Sequence, residues 1–207
     1  MVPLHADAHL IVIDKPAGLL SVPGKGADKA DCAAARVQAL YPDALVVHRL
    51  DQATSGLLVF ARGIEAQRRL SRAFETREVH KGYVAVVAGL PADDEGLIAL
   101  PLSADWPRRP LQRVDFETGK PAQTHWRVLA RDEASLTCRL ALTPLTGRTH
   151  QLRLHLQAMG HAILGDALYA PPDLQARAPR LLLHAQTLRL PHPLDGAPFE
   201  IEAAAPF

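Results

Sequence analysis

Cysteine is scarce in this sequence, and long apolar runs are missing from it. The two cysteines, Cys32 and Cys138, lie far apart and in no C-x-x-C pattern, which argues against a disulfide framework and a cysteine-ligated zinc site. Their small number favours a reduced, cytoplasmic setting. No apolar run approaches the roughly 20 residues that a membrane span requires, and the N-terminus has no basic segment followed by a long apolar stretch. We therefore expect a cytoplasmic protein without a membrane segment.

An excess of charge of one sign is also missing. Lys and Arg number 23 against 22 Asp and Glu, so the formal net charge is +1. A near-neutral chain is weak evidence for a nucleic-acid partner, so any basic surface must come from local clustering. With 207 residues, of which 48% are hydrophobic, the chain can form one large domain or two small lobes around a core. It contains no internal repeat and no linker long enough to separate independent domains.

The most informative segment is HRLDQATSGLLVFAR, residues 48–62. It places a single acid, Asp51, before small and polar turn residues at 52–56 and a continuous apolar run of strand length at 57–61. Arg49 can project to the same side as Asp51 if the backbone is extended there. A lone aspartate before a strand is usually a solvated turn residue, so a functional role for Asp51 depends on what accompanies it.

Apolar runs and turn residues predict the other elements. Strands are predicted at residues 10–13, 81–89, 97–102, 125–130, 136–143, 181–184, 187–190 and 199–203. Helices are predicted at residues 31–40, with Asp31 as N-cap, at 64–77, and at 149–159, with Gly160 as the stop. Residues 105–113, DWPRRPLQR, are predicted to form a basic loop broken by proline.

Two basic clusters are candidates for contact with an anionic partner. Arg68 and Arg72 lie four residues apart on the polar face of the second predicted helix. Arg108 and Arg109 lie in the proline-broken loop. Either pair can be an ordinary solvated surface or can contact phosphates, and charge pattern alone leaves both readings open.

Two later segments carry further polar side chains on regular elements. In KGYVAVVAG, residues 81–89, Tyr83 is a strand tyrosine that would by default pack in the core with its hydroxyl at the rim. In LTPLTGRTHQLRLHL, residues 142–156, Arg148 falls at the predicted helix start, where the positive end of the helix makes an arginine unfavourable unless an anion offsets it. His150 and His155 are five residues apart, about 140° around a helix, whereas two metal ligands on one face need a spacing near four. We expect no metal site.

Together these segments resemble the active-site motifs of the RluA-type pseudouridine synthases: HRLD followed by TSG and an apolar strand, then K-x-Y, then GRTHQLR. KPAGLLSVPG, residues 15–24, and LLLHA, residues 181–185, extend the resemblance over nearly the whole chain. WPRRP and ETGKPAQT resemble the dual-specificity subgroup, whose members modify both tRNA and 23S rRNA. The implied fold is α/β, with a mixed, largely antiparallel central sheet, flanking helices and a central RNA-binding cleft. It implies one catalytic domain over residues 1–207, without a separate S4-type RNA-binding domain.

The resemblance also implies the chemistry and its residues. The expected reaction is isomerisation of uridine to pseudouridine. Its expected substrates are stem-loops of tRNA, in particular the anticodon loop, and of 23S rRNA, or one of the two. The enzyme is expected to be a monomer that needs neither cofactor nor metal. Asp51 is implied as the catalytic group, with Tyr83 beside it and Arg148 paired with it. Arg49 and His48 are expected to take part in RNA binding or base flipping, and Arg49 is implied as the residue that fills the stack vacated by the target base. Arg68, Arg72, Arg108 and Arg109 are expected to contact RNA.

Two other functions remain compatible with the sequence. A non-catalytic RNA-binding module would not need Asp51, Tyr83 and Arg148 together, and loss of activity on Asp51→Asn would separate it from an enzyme. A nucleoside or glycoside hydrolase could also use Asp51 at an anomeric carbon. Such an enzyme normally has a second carboxylate, which the three motifs lack, and it would release free uracil.

Overall fold

The computed structural model of the protein describes residues 2–26 and 29–207. The chain forms two compact units. Unit 1 contains the residues up to Lys81 together with His184–Pro206, and unit 2 contains Gly82–Leu183 together with Phe207. None of the helices in the described ranges has the length and apolar character of a membrane-crossing helix.

Unit 1 is built on a mixed sheet around one fully buried strand. Its strands are β1 (His5–Ala6), β2 (Leu10–Lys15), β3 (Ala44–Val46), β4 (Ser55–Arg62), β11 (Leu183–Pro191) and β12 (Pro198–Glu202). They lie in the order β1-β2-β4-β11-β12, with β3 also paired to β4. β4 runs antiparallel to β2 and β3, but parallel to β11. Every residue from Ser55 to Ala61 is buried, which explains why this strand is a continuous apolar run.

Two helices complete unit 1, α1 (Ala33–Gln38) and α2 (Gly63–Glu75). α2 buries Ala66, Leu70 and Ala73 in one core cluster with alternate residues of β4. This confirms the helix predicted at residues 64–77, whose buried face lies opposite the polar face that carries Arg68 and Arg72. The start of α1 differs from the prediction, because the Cys32 thiol accepts the Ala35 N–H at 3.3 Å. Asp31 is instead exposed and binds the Arg36 guanidinium with both carboxylate oxygens at 2.7 Å.

Unit 2 contains an antiparallel sheet and a short hairpin. The sheet has the order β5 (His80–Ala88), β10 (Thr137–Pro144), β9 (Gln123–Asp132), β6 (Glu95–Ala99). The hairpin pairs β7 (Leu102–Ala104) with β8 (Gln112–Val114) around a 3-10 turn at Trp106–Arg108. α3 (Gln151–Ala158) and α4 (Pro172–Ala176) follow. Leu102 and Ala122 pack with Leu154 of α3 in a core cluster of this unit.

Several predicted boundaries in this part of the sequence are wrong. The predicted strand at 97–102 is two strands, because Pro101 interrupts the run and has no backbone N–H to donate. The predicted loop at 105–113 ends too late, because β8 begins at Gln112. The loop closes the β7–β8 hairpin. The predicted strands at 181–184 and 187–190 are largely one strand, β11. The last long helix begins at Gln151, because His150 adopts a left-handed conformation with φ 54°.

Candidate active site

Asp51 lies in a tight turn directly before β4. The Thr54 N–H donates to the Asp51 carbonyl at 3.1 Å, which closes the turn. Just upstream, the Ser21 hydroxyl donates to the Leu50 carbonyl at 2.7 Å and accepts the Leu50 N–H at 3.0 Å. Asp51 itself is half-buried. The carboxylate is therefore carried by a short loop that is held on both sides.

Lys15 holds the same loop from the interior of unit 1. Its side chain is 0% exposed, and Nζ donates to the carbonyls of Pro16, Leu19 and Gln52 at 3.0, 2.8 and 3.2 Å. Three acceptors match the three donors of an ammonium group. Burial lowers the pKa of Lys15 to about 8, against the opposing effect of the negative charges of Asp51 and Asp14. Lys15 thus adds a positive charge near Asp51 and fixes the neighbouring peptide.

Ser55 and Gly56 fasten the other side of the loop to β11. The Ser55 hydroxyl lies 2.9 Å from Nδ1 of His184, whose Nε2 lies 3.1 Å from the Ala203 carbonyl. A proton on Nε2 satisfies that carbonyl, so Nδ1 accepts from Ser55. Gly56 has φ +113°, and a Cβ there would come within 2.3 Å of the Ala185 carbonyl oxygen. Gly56 is therefore required for close packing of these two parallel strands, and Ser55 ties them together through His184.

His48 and Arg49 differ sharply in their surroundings. The Nε2 atom of His48 accepts the Val59 N–H at 3.0 Å, and the ring stacks on Phe74 at 4.7 Å. Burial, with a smaller effect of Lys81, lowers the pKa of His48 to about 3, so the ring is neutral. Arg49 is exposed and makes no hydrogen bond or ion pair within residues 2–26 and 29–207. His48 thus joins β4 to α2, while Arg49 projects into solvent.

Tyr83 and Arg148 both belong to unit 2. Tyr83 is half-buried on β5, directly opposite Leu142 of β10. Arg148 follows β10 in an exposed loop and lies three residues before the first residue of α3. The predicted position of Arg148 at the helix start is therefore wrong, and the positive end of the helix does not explain it. Its Nε donates to the Pro121 carbonyl at 3.2 Å.

A buried amide fixes the Arg148 loop. Oε1 of Gln151 accepts the Arg148 N–H at 3.0 Å and the Thr146 hydroxyl at 2.7 Å. Nε2 of Gln151 donates to the Gln123 carbonyl at 2.9 Å and to the Thr124 hydroxyl at 3.0 Å. Sequence reasoning missed this role, because a glutamine at the start of a helix carries no signal of its long-range partners.

Three other polar groups in or next to α3 have structural partners. Arg153 and Asp166 form a buried ion pair at 2.6 Å. His155 is buried between the Thr124 hydroxyl at 2.9 Å and the Leu100 carbonyl at 3.1 Å, and burial lowers its pKa. Nδ1 of His150 lies 2.7 Å from the Tyr169 hydroxyl. No cluster of three potential metal ligands occurs in the described part of the chain.

The predicted basic clusters remain at the surface of their own units. On α2, Arg68 binds Glu65 at 2.7 Å, and Arg72 is exposed. In the β7–β8 hairpin, Arg108 binds Asp105 at 2.6 Å, and the guanidinium carbon of Arg109 lies 3.5 Å from the centre of the Trp106 ring. These side chains are available to a polyanion, although two of them already have carboxylate partners.

Comparison with known proteins agrees with the residues and the fold. Residues 9–158 match the family model described as RNA pseudouridylate synthase. The dual-specificity RNA pseudouridine synthase RluA of Yersinia pestis is 52% identical over 207 residues, covering 100% of both chains. The protein of that name from Escherichia coli K12 is 51% identical, covering 100% of this chain and 94% of the relative.

Solved structures support the same conclusion. Human RNA pseudouridylate synthase domain containing 1 has a TM-score of 0.83 and 28% identity, covering 99% of this chain and 83% of its own. Human RNA pseudouridylate synthase domain containing 4 has a TM-score of 0.78 and 25% identity, covering 99% and 88%. These matches confirm the predicted fold class, with its mixed, mostly antiparallel sheet and few helices. The chain belongs to the RluA-type family of RNA pseudouridine synthases, which are isomerases.

Proposed function

We propose that the protein converts specific uridines to pseudouridine in the anticodon stem-loop of tRNA and in a hairpin of 23S rRNA, with Asp51 as its catalytic carboxylate. The observation that best supports this role is the placement of Asp51. It is a half-buried acid on a loop that Lys15, Ser21 and Ser55 hold from three sides. An acid that only solvated a turn would not need this support.

The reaction rearranges bonds without adding or removing atoms. The bond between N1 of uracil and C1′ of ribose breaks, the base turns, and a bond forms between C5 and C1′. The proton on C5 leaves to solvent, and N1 gains a proton. The product has the composition and oxidation state of the substrate, so the chemistry itself requires no electron acceptor and no co-substrate.

An ionised aspartate suits the first step. A carboxylate can add to the sugar or the base, or can remove a proton from the sugar. The buried ammonium group of Lys15 adds a positive charge next to this loop. We assign Tyr83 to packing against the uracil and relaying a proton, and Arg148 to supplying a permanent positive charge during the reaction.

The target uridine must leave its stack before it can react. Arg49 suits this step, because it is an exposed planar guanidinium only two residues from Asp51. His48 is not expected to contact RNA directly, because its ring already accepts the Val59 N–H and stacks on Phe74. We propose that His48 holds the backbone from which Arg49 projects. We assign the phosphate contacts to four arginines, Arg68, Arg72, Arg108 and Arg109.

The decisive experiment is tritium release from a hairpin that carries 5-tritiated uridine. Asp51→Asn should lower release to below a few per cent of wild type, while RNA binding and the melting temperature stay nearly unchanged. Asp195→Asn, an exposed turn aspartate of unit 1, is the matched control and should keep wild-type activity. Appreciable activity of pure Asp51→Asn enzyme would contradict the mechanism. Free uracil among the products would indicate a hydrolase instead.

The substrate assignment has its own test. A single domain of this size should bury roughly 600–1,000 Å² on nucleic acid if single DNA-binding modules are a guide, which corresponds to a short stem-loop. Isolated anticodon and 23S rRNA hairpins should therefore react about as well as the intact RNAs. Comparison of pseudouridine maps of total RNA with and without the gene would identify the sites. An inert hairpin beside a reactive intact RNA would show that recognition extends beyond the loop.

A further inference from the structure

Trp106 is unusually exposed for a tryptophan. Its relative exposure is 69%, whereas a residue with so large an apolar surface is normally mostly covered. The Arg109 guanidinium lies 3.5 Å from the ring centre, which is a stacking distance and covers one face of the indole. Most of the exposed area must therefore come from the opposite face and the ring edges.

The loop that presents this indole is held firmly. Asp105 is buried, and its carboxylate accepts a hydrogen bond from Nε of Arg108 at 2.7 Å and forms an ion pair with Nη2 at 2.6 Å. Its backbone N–H donates to the Leu111 carbonyl at 2.9 Å. The next residue, Gln112, donates its N–H to the Tyr169 hydroxyl at 2.9 Å. The exposure of Trp106 is thus built into the hairpin and does not result from a loose chain.

The same hairpin adjoins the loop of Arg148 within unit 2. Leu102, the first residue of β7, exchanges two backbone hydrogen bonds with Lys120, at 2.8 and 3.0 Å. The following residue, Pro121, accepts the Nε–H of Arg148. An RNA that reaches Arg148 therefore lies close to the base of the hairpin that carries Trp106.

We propose that the open face of Trp106 is a stacking platform for one unpaired base of the RNA substrate, with Arg109 as a second layer beneath the indole. This inference rests on the proposed function, because it needs RNA as the ligand. Stacking on an aromatic ring accepts any base, since every base has a π face. Arg108 and Arg113 are paired with Asp105 and Asp115, whereas Arg109 has no carboxylate partner among the described residues. The charge of Arg109 is therefore not already balanced by a carboxylate, unlike the charges of Arg108 and Arg113.

Stacking also answers a difficulty raised by the composition. A chain with a net charge of +1 gains little from non-specific attraction to phosphates. A base held between a tryptophan and solvent contributes affinity that does not depend on net charge. The contribution should consequently persist at salt concentrations that weaken the phosphate contacts.

The first test is the affinity for an anticodon stem-loop, measured in the Asp51→Asn background so that no turnover occurs. Trp106→Ala should raise Kd about 10-fold, within the range of about 5- to 150-fold known for stacking residues. Trp106→Phe should restore most of the loss. The factor should be the same at low and high salt, and the slope of log Kd against log salt should not change. Leu97→Ala, an exposed apolar residue of β6, is the control and should bind like the parent.

The second test uses the two tryptophans of the chain, Trp106 and Trp126. In a Trp126→Phe variant, emission comes from Trp106 alone, and saturating stem-loop RNA should quench it and protect it from acrylamide. In Trp106→Phe, the buried Trp126 should respond little. Unchanged Trp106 emission at saturation, or an unchanged Kd for folded Trp106→Ala, would overturn the proposal.

The two tests separate this inference from the proposed function. If wild-type enzyme releases tritium from the stem-loop while Trp106→Ala binds normally, the platform is wrong and the isomerase assignment stands. If wild-type enzyme binds the stem-loop without releasing tritium, the assignment fails. The quenching of Trp106 then still decides whether the platform exists.

Discussion

Lys15 offers the sharpest test of how the candidate site is held together. A lysine with no exposed surface is costly to bury, and this one is stabilised by three carbonyls and by the charge of nearby acids. In the unfolded chain the pKa of Lys15 is its ordinary 10.5, and burial lowers it to about 8 in the folded protein. Between these pH values the unfolded chain holds a proton that the folded protein has lost.

The direction and size of the effect follow from this difference. Because the unfolded state binds more protons, the free energy of unfolding rises with pH across this interval. At about 1.36 kcal/mol for each pKa unit, the full gain from Lys15 is about 3 kcal/mol. It is complete above pH 10.5 and absent below about pH 8. Lys15→Met removes this titration together with the three hydrogen bonds to the carbonyls of Pro16, Leu19 and Gln52.

Urea unfolding at several pH values across this interval gives the measurement. The difference in unfolding free energy between wild type and Lys15→Met should grow by about 3 kcal/mol, because titration of all other groups is common to both proteins. Lys120→Met, at an exposed position, is the control, and its difference from wild type should stay constant. A Lys15→Met difference that is also flat with pH would show that folding does not lower the pKa of Lys15.

Three further predictions follow from the site. Arg49→Ala should slow isomerisation of a uridine held in a structured loop more than that of an unpaired, unstacked one; equal losses in kcat/KM on the two substrates would exclude a role in base extrusion. Gln151→Leu should lower stability by about 1–3 kcal/mol, since it leaves buried donors and acceptors unpaired, and should lower kcat by loosening the Arg148 loop; a stable variant with wild-type kcat would show that the amide does not position it. Because the pKa of His48 falls from 6.5 to about 3 on folding, wild type should lose about 5 kcal/mol of stability as pH falls through that interval. In acid unfolding experiments, His48→Phe should lose less unfolding free energy than wild type over the same pH range. The variant should also be less stable by a constant amount, because the Val59 N–H is left unpaired. Parallel acid transitions of the two proteins would contradict a neutral His48 ring in the folded protein.

The sequence by itself determined the elements whose signal is local. β4 and α2 follow from an apolar run of strand length and from helical spacing at Ala66, Leu70 and Ala73. These patterns are readable because strand and helix periods repeat over a few residues. The same locality gives Asp51 its place at the mouth of β4. The three motifs also identified the family, since their residues and their order along the chain can be read without knowing the fold.

The tertiary structure alone decided what holds these elements in place. KPAG looks like a turn in the sequence, yet Lys15 is the buried lysine that binds the peptide after Asp51. Ser55 meets His184, 129 residues away, and Gln151 reaches Gln123 and Thr124. Arg148 lies outside α3, because His150 adopts a left-handed conformation and the helix begins only at Gln151. Such partners are fixed by the packing of distant segments and by buried polar groups that must each find a hydrogen bond. Local periodicity carries no record of either constraint, and so it could place Asp51 but could not name the side chains that position it.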